Sequence, residues 1–500
     1  MYFIGIDIGT TNTKLCLFEM PGFNCIYKYS FKTPINVENQ NSDFDINRIW
    51  VNIKKGLKAI SNKVSDTKQI KNISIASVGE AGVLVNKLGE TLGPAITWYD
   101  KRTEKQLQYI HSKISREEIY KITGLPSHTN YSINKILWIM DNFNEVIGNE
   151  YKWLCMAEYF GYKFTGNMYS EFSLASRTMA LDLIKRGWST DLLGKLDVES
   201  SLFPDIIASG MEIGHITKET AYETGLSTDT SVSIAGHDHM CGSIAAGITP
   251  ENTVLDSTGT TEGILLLQKN PSLDFDFYNA AISNGIHVLE NYYTLFASLP
   301  SAGYSIEWFI RNFIGDNLTF DEVMKELPTH CIKESNLIFI PHLRGSGPPN
   351  RSILSKGLFY GLTESNTKYD LLKAVFEGLC FELKNLLDTV ENLIGKNYST
   401  IKVIGPACRN PYWLQLKSDI LNKNVVACEI DEAVAKGAAM LAAYRMGEIS
   451  SIDNVDITCS TKTFIPDSNK SKKYKEIFEN LYMPLYKNKI NFEINNWGEK

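Results

Sequence analysis

An aspartate closing an apolar run, followed by a turn of glycine and threonine, occurs twice in this chain: Asp7-Ile-Gly9-Thr10-Thr11 and Asp256-Ser-Thr-Gly259-Thr260-Thr261. The register differs by one residue, so the second is an echo of the first and not an exact repeat. Residues 2–6 and 14–18 are apolar around the first turn, and 253–255 and 264–267 around the second, the pattern of strand–turn–strand hairpins. Two readings of the turns stand. Gly and Thr are ordinary hairpin residues. They also suit a phosphate cradle, because glycine admits close backbone approach, successive N–H groups point into one concavity, and threonine hydroxyls add donors. Two such turns facing each other across a cleft would hold the phosphates of one nucleotide from both sides. Lys14 lies close enough in sequence to reach the same anion as a point charge. Asp7 is awkward beside phosphate unless a cation intervenes, which implies Mg2+. The sequence G-x-x-x-x-G-K-[ST] occurs nowhere, so the P-loop is excluded as the nucleotide site.

The 500 residues exceed one ordinary core and predict two or three domains. Asp45 is a plausible N-cap, and Ile46, Ile49, Trp50, Ile53, Leu57 and Ile60 follow at helical spacing. Residues 73–78, 337–341, 401–405 and 425–428 read as further strands, and 369–393 and 433–446 as long amphipathic helices. Residues 474–486 read as a closing amphipathic helix. Strands interleaved with helices make this an α/β chain. No low-complexity linker divides it, and the boundary is placed just past the Gly/Ala-rich stretch 242–247, giving domains 1–247 and 248–500.

Composition closes off other classes. Hydrophobic residues are 43% and charged residues 21%, a globular balance. The net charge of −7 argues against a nucleic-acid binder. The opening residues lack a basic n-region and meet Asp7 at once, so no signal peptide is expected. No run reaches the ~18 apolar residues of a membrane span. The nine cysteines include no C-x-x-C pair. They are expected to be buried thiols in a reducing cytoplasm, neither a disulfide framework nor a zinc ribbon.

In AGHDHMCGSIAAG, Asp238 stands between His237 and His239. A metal site is one reading, but no third His or Cys lies at a suitable spacing. A buried helix cap is another. A carboxylate that takes a proton from a hydroxyl suits the residue type better.

The ordered set IDIGTTNTK, W-Y-D-K-R-T at 98–103, GHDH with GSIAAG, LDSTGTTEGILL, and GLFYGLT with AVFEGL resembles the FGGY carbohydrate kinases. The resemblance runs from Phe3 to about Met446. It implies the two-domain sugar kinase/Hsp70/actin-like, ribonuclease H-like fold, with a sheet and flanking helices in each domain and a central cleft. It also implies transfer of the γ-phosphoryl of ATP, with Mg2+, to a hydroxyl of a small sugar or polyol, a ketose such as xylulose foremost. Carried onto this sequence, Asp7 is similar to the acid near Mg2+, which Asp238 would share, and Thr10, Thr11, Asn12 and Lys14 to the first phosphate turn. Asp238 is similar to the general base, Gly259 and Thr260 to the second phosphate turn, and Gly303 to a glycine close to the nucleotide. Asn410 falls on the adenosine side. Glu80, in SVGEAGV, and His239 fall where substrate hydroxyls are contacted. The implied partner is a small molecule, with no nucleic acid, no membrane and a possible homodimer.

The chain departs from the family at Pro406, where the adenosine loop usually carries glycine or alanine. Proline removes an N–H and fixes φ, so a backbone contact to the nucleotide is expected to be lost or reshaped. Asn130 is a further departure, and Gly79-Glu80 matches neither the glycerol kinase nor the xylulokinase pair. A non-catalytic sugar or nucleotide sensor on the same scaffold is the alternative, and an Hsp70-like ATPase ranks below it. Other residues have plainer expectations. Asp100 is read as the N-cap of a helix starting at Lys101. Trp98, Trp308 and Trp413 are read as core, with Trp98 able to edge the sugar pocket. Arg102 and Lys135 are read as ion-pair partners, and Glu377 as satisfying a buried polar neighbour.

Overall fold

In the computed structural model, described over residues 1–143, 151–248, 252–315, 318–330, 336–452 and 460–497, each Gly-Thr-Thr turn joins the first two strands of its own sheet. Cys331 and Cys459 lie outside the described residues. The first sheet contains β1 (Tyr2–Ile8), β2 (Asn12–Glu19), β3 (Asn24–Lys32), β4 (Ile70–Ser77), β5 (Glu212–His215) and β6 (Ser231–His237), in the order β5-β6-β4-β1-β2-β3. The second contains β7 (Thr253–Thr258), β8 (Glu262–Gln268), β9 (Ser283–Ile286), β10 (Tyr293–Leu299), β11 (Thr400–Ile404), β12 (Asn424–Glu429) and β13 (Ser460–Phe464), in the order β9-β10-β8-β7-β11-β12-β13.

The two orders correspond. From β3 inward the first sheet runs antiparallel, antiparallel, parallel, parallel, antiparallel. The second repeats that series from β10 to β13, with β9 added at the edge. The sequence echo at Asp7 and Asp256 is therefore the visible trace of a repeated sheet topology.

Strand β1 is buried on both faces, as its nearly unbroken apolar run requires. Ile4, Ile6 and Ile8 meet the apolar stripe Ile49, Ile53, Leu57 and Ile60 of α1 (Ile46–Ser61). Asp45 caps that helix as expected, accepting the Arg48 N–H. Phe3 faces the other way, toward α2 (Asp238–Ala245) and a helix from the second half. Among the C-terminal elements are α3 (Gly303–Phe309), α4 (Lys368–Ile394), α5 (Pro411–Leu421), α6 (Ala433–Arg445), α7 (Ser468–Ile477) and α8 (Met483–Trp497).

Helix α6 is not amphipathic. Residues 435–443 are all buried, because the helix lies between the halves, against α2 and β1. Small residues permit that approach. A Cβ on Gly5 would sit 1.9 Å from the Ala435 carbonyl oxygen, and one on Gly437 1.8 Å from that of Cys241.

Other expectations also change. The helix after the WYDKRT stretch starts at Glu104 with Thr103 before it. Asp100 instead accepts the Ser42 and Arg102 N–H groups and pairs with the Arg102 guanidinium, so it anchors a loop. Among the described residues Lys135 pairs with no carboxylate, donating to the carbonyls of Glu80 (2.8 Å) and Asn130 (2.5 Å). The closing helix continues to Trp497 through a wider turn at Phe478–Tyr482, and its Tyr474 hydroxyl donates to Glu377. Seven cysteines are free thiols, all buried except the half-buried Cys25.

Candidate active site

Strand β6 delivers its last residue, His237, to the start of α2, and Asp238 opens that helix. The Asp238 Oδ1 accepts the His239 N–H at 2.7 Å and lies 3.0 Å from His237 Nδ1. Burial works to raise this carboxyl. The charges of His239 and His237, the His237 hydrogen bond and the His239 N–H outweigh it and hold the group at about 2. His239 is itself kept below its ordinary value by burial. The flanking histidines and the His239 N–H therefore keep Asp238 ionised against burial.

Asp7, at the end of β1, lies within electrostatic reach of Asp238. Burial first, then repulsion from Asp238, push its carboxyl up to about 7 against the pull of Lys14. A buried and a half-buried carboxylate that repel each other are a donor set for a hard cation. Magnesium is bound through one or two carboxylates, water and phosphate, not by a full protein cage. Asp7 and Asp238 fit that habit. Among the described residues no group of three or more His, Cys, Asp or Glu gathers into a metal cage.

Glu80 has φ 64°, a left-handed backbone that strains a residue with a side chain. Its carbonyl is held by Ser132 Oγ at 3.0 Å and Lys135 Nζ at 2.8 Å. Its Oε1 accepts from Arg177 Nε (2.8 Å) and Nη2 (2.6 Å), a buried fork. Burial would raise the Glu80 carboxyl, but Arg177 keeps it below its ordinary value. Arg177, His237, His239, Met240, Leu265 and Phe296 line one pocket beside this pair. Gly79 makes room for it, since a Cβ there would stand 2.8 Å from the His237 ring.

The first turn is fastened from outside. Gly9 N donates to Asn12 O, Thr33 Oγ1 to Gly9 O, and Trp98 Nε1 to Thr10 Oγ1 at 2.9 Å. Trp98 thus packs on the rim of the first core and also holds the turn. Thr11 and Asn12 are exposed at its tip. Lys14 is held by Glu432, 2.7 Å away.

In the second turn, Gly259 O accepts from Gly303 N, and Thr260 O from Ala302 N and Tyr304 N. A Cβ on Gly303 would lie 2.6 Å from Gly259 O, and one on Gly405, at φ 94°, 2.7 Å from Thr258 O. Pro406 opens the short helix Pro406–Arg409, a position whose N–H has no intrahelical partner, so the helix loses nothing by it. Asn410 caps α5 through its side-chain oxygen, which accepts Trp413 N, and its Nδ2 faces Met324 Sδ.

The structure therefore gathers Asp7, Asp238 and Lys14 into one cluster and Glu80, His237 and His239 into another. Gly259, Thr260, Gly303 and the Gly405-Pro406 bend are packed together, while Lys14 and Asn410 are engaged with protein partners. Sequence reasoning missed Arg177, Thr33, Glu432 and Lys417. Each stands alone in its stretch, with no motif to mark it.

Residues 2–245 match the FGGY family of carbohydrate kinases, N-terminal domain, and residues 255–446 its C-terminal domain. The chain is 28% identical to a xylulose kinase of Staphylococcus xylosus over 97% of this chain and 99% of that one. It is 24% identical to a gluconokinase of Bacillus subtilis, over 97% and 95%. The crystal structure of a gluconate kinase from Lactobacillus acidophilus superposes with TM-score 0.89 at 23% identity, covering 99% of both chains. That of a ligand-bound xylulose kinase from the same organism also gives 0.89, at 24% identity and the same coverage. The fold is the two-domain sugar-kinase fold that the sequence resemblance implies.

Proposed function

Because the chain belongs to the FGGY family of carbohydrate kinases, we propose that it transfers the γ-phosphoryl group of ATP to a hydroxyl of a small sugar, a ketose such as xylulose foremost, with Asp238 as general base. The observation that carries this reading is Asp238 itself, ionised at the head of α2 and next to a pocket edged by His239 and Arg177. Its carboxylate accepts the hydroxyl proton as the sugar oxygen bonds to phosphorus and the bond from phosphorus to the departing ADP oxygen breaks. A low basicity suits a transition state in which the attacking oxygen bonds weakly and its proton leaves late.

The remaining roles follow by position. Thr10, Thr11 and Asn12 offer donors to phosphate from one side and Thr260 from the other, where Gly259 and Gly303 allow close backbone approach. Lys14 joins them by exchanging Glu432 for a phosphate oxygen. Asp7 and Asp238 would hold Mg2+, which when bound neutralises phosphate charge. Pro406 and Asn410 flank the adenosine. Glu80 and His239 receive the sugar hydroxyls, with Arg177 fixing the Glu80 carboxylate. Residues 1–247 then supply the base, the sugar pocket and the first turn, and 248–500 the second turn and the adenosine side. The free buried thiols support a reducing, cytoplasmic setting.

A sugar acid is the second reading. Arg351, from the segment after Ile338–Ile340, acts electrostatically on Tyr131, Arg177 and Glu80. Two guanidinium groups facing Glu80 suit an anionic acceptor beside it.

The test is a coupled ADP-release assay across pentuloses, hexuloses, aldonates and short polyols. The accepted sugar should lose at least ~10²-fold in turnover with Asp238→Asn, the low end for a lost base, while nucleotide affinity holds. Sugar-independent ADP release, or none with any acceptor, would overturn the reading.

A further inference from the structure

Under the second turn an ammonium group is sealed inside the protein. Lys417, on the inner side of α5, is 1% exposed. Its Nζ donates to Asp256 Oδ2 at 2.5 Å, to Thr258 Oγ1 at 2.9 Å and to Glu262 Oε1. Thr258 Oγ1 donates in turn to Asp256 Oδ1 at 2.6 Å. Asp256 and Thr258 end β7 and Glu262 begins β8. One cation therefore grips both strands at the root of the turn formed by residues 259–261.

Stability alone does not call for this arrangement. A buried ion cluster is generally no more stabilising than apolar side chains of similar volume. This cluster also carries two carboxylates against one ammonium, and Glu262 Oε2 is buried without a partner. Burial and the neighbouring Asp256 hold the Glu262 carboxyl above its ordinary range. What the cluster does have is location. The helix that bears Lys417 is capped by Asn410, and the Gly405 bend before it packs on the Thr258 carbonyl.

We propose that Lys417 is a positioning residue that ties the adenosine-side helix α5 to the second phosphate turn and holds Gly259 and Thr260 in the geometry that receives a nucleotide's phosphates. This rests on the kinase reading above. Without the ammonium the two strand ends lose their shared partner and part, and Gly259 and Thr260 lose their fixed position. The sugar pocket, built from Glu80, Arg177 and His239, is untouched.

Lys417→Met keeps the length of the side chain and removes its charge. Isothermal titration reads the Kd for ADP and ATP. The Kd for both nucleotides should rise about tenfold or more, the scale of one lost hydrogen bond to a charged group, with the KM for sugar moving less than about twofold. Adding Glu262→Gln to Lys417→Met should recover part of the affinity, because its amide can donate to Asp256 and rejoin the two strands. A folded Lys417→Met protein with the parent's nucleotide Kd overturns the proposal. Should that variant not fold, Thr258→Val carries the test: a rise of about threefold in Kd supports the role, and a parent-like value overturns it. A parent protein that binds neither ADP nor ATP is a separate result, which overturns the kinase reading and this role with it.

Discussion

Lys14 and Glu432 meet across the two halves of the molecule, Nζ to Oε2 at 2.7 Å. Lys14 leaves the first turn on β2, and Glu432 immediately precedes α6 at φ 55°, a left-handed backbone that costs a residue with a Cβ ~1–2 kcal/mol. Lys28 binds the same carboxylate at 2.9 Å. On the kinase reading, the second half of the chain would thus compete with phosphate for a lysine of the first.

Opposite effects should follow from the two sides of this pair. Lys14→Met should weaken ADP binding, about tenfold for one lost charged contact. Glu432→Gln should tighten it, because it frees Lys14 and removes an acid near the triphosphate. Isothermal titration of both variants checks the signs, and weakening by Glu432→Gln would sink the competition.

Glu80→Ala should raise the KM for sugar at least about tenfold and leave that for ATP near the parent value. It should also cost ~3–5 kcal/mol of stability, since Arg177 is left buried and unpaired. The Glu80 carboxyl lies below its ordinary 4.5 because Arg177 outweighs burial. A depressed carboxyl contributes stability that is present above the unfolded pKa and lost as pH falls through the folded one. Acid unfolding below pH 4.5 should therefore be shallower in Glu80→Gln than in the parent. An unchanged sugar KM in Glu80→Ala removes Glu80 from the pocket.

Lys135 titrates in the other direction. Burial lowers its ammonium from 10.5 to about 7. Between those values the unfolded chain binds the proton and the folded chain does not, so folding gains stability as pH rises through that window. Chemical denaturation at stepped pH should show this rise in the parent and lose it in Lys135→Met. The same variant frees the Glu80 carbonyl and should raise the sugar KM, which a purely structural lysine would not do.

If the proposed adenosine side holds, Pro406 removes one N–H there, and GTP should support appreciable turnover alongside ATP. Pro406→Gly should sharpen the preference for ATP. A hundredfold or greater preference in the parent, about 2.7 kcal/mol, would count against relaxed selection.

The elements and the motifs are legible along the chain, because both are local. The α1 stripe with its Asp45 cap, the hairpins around Gly9 and Gly259, and the histidine-flanked Asp238 depend on residues within a few positions of one another. The repeated topology was half visible in the Asp7 and Asp256 echo, since a turn leaves a motif while the order of strands in a sheet does not. The partners that make the site work were decided by tertiary structure alone. Arg177 reaches Glu80 across 97 residues, Trp98 reaches Thr10 across 88, and Lys417 reaches Asp256 across 161. A lone arginine, tryptophan or lysine carries no local signature of the group it will meet, so α6 reads as amphipathic until the fold covers both its faces. Charge behaves in the same way: whether Asp7 is held near 7 or Asp238 near 2 depends on which groups burial brings beside them, and that is a property of three-dimensional packing.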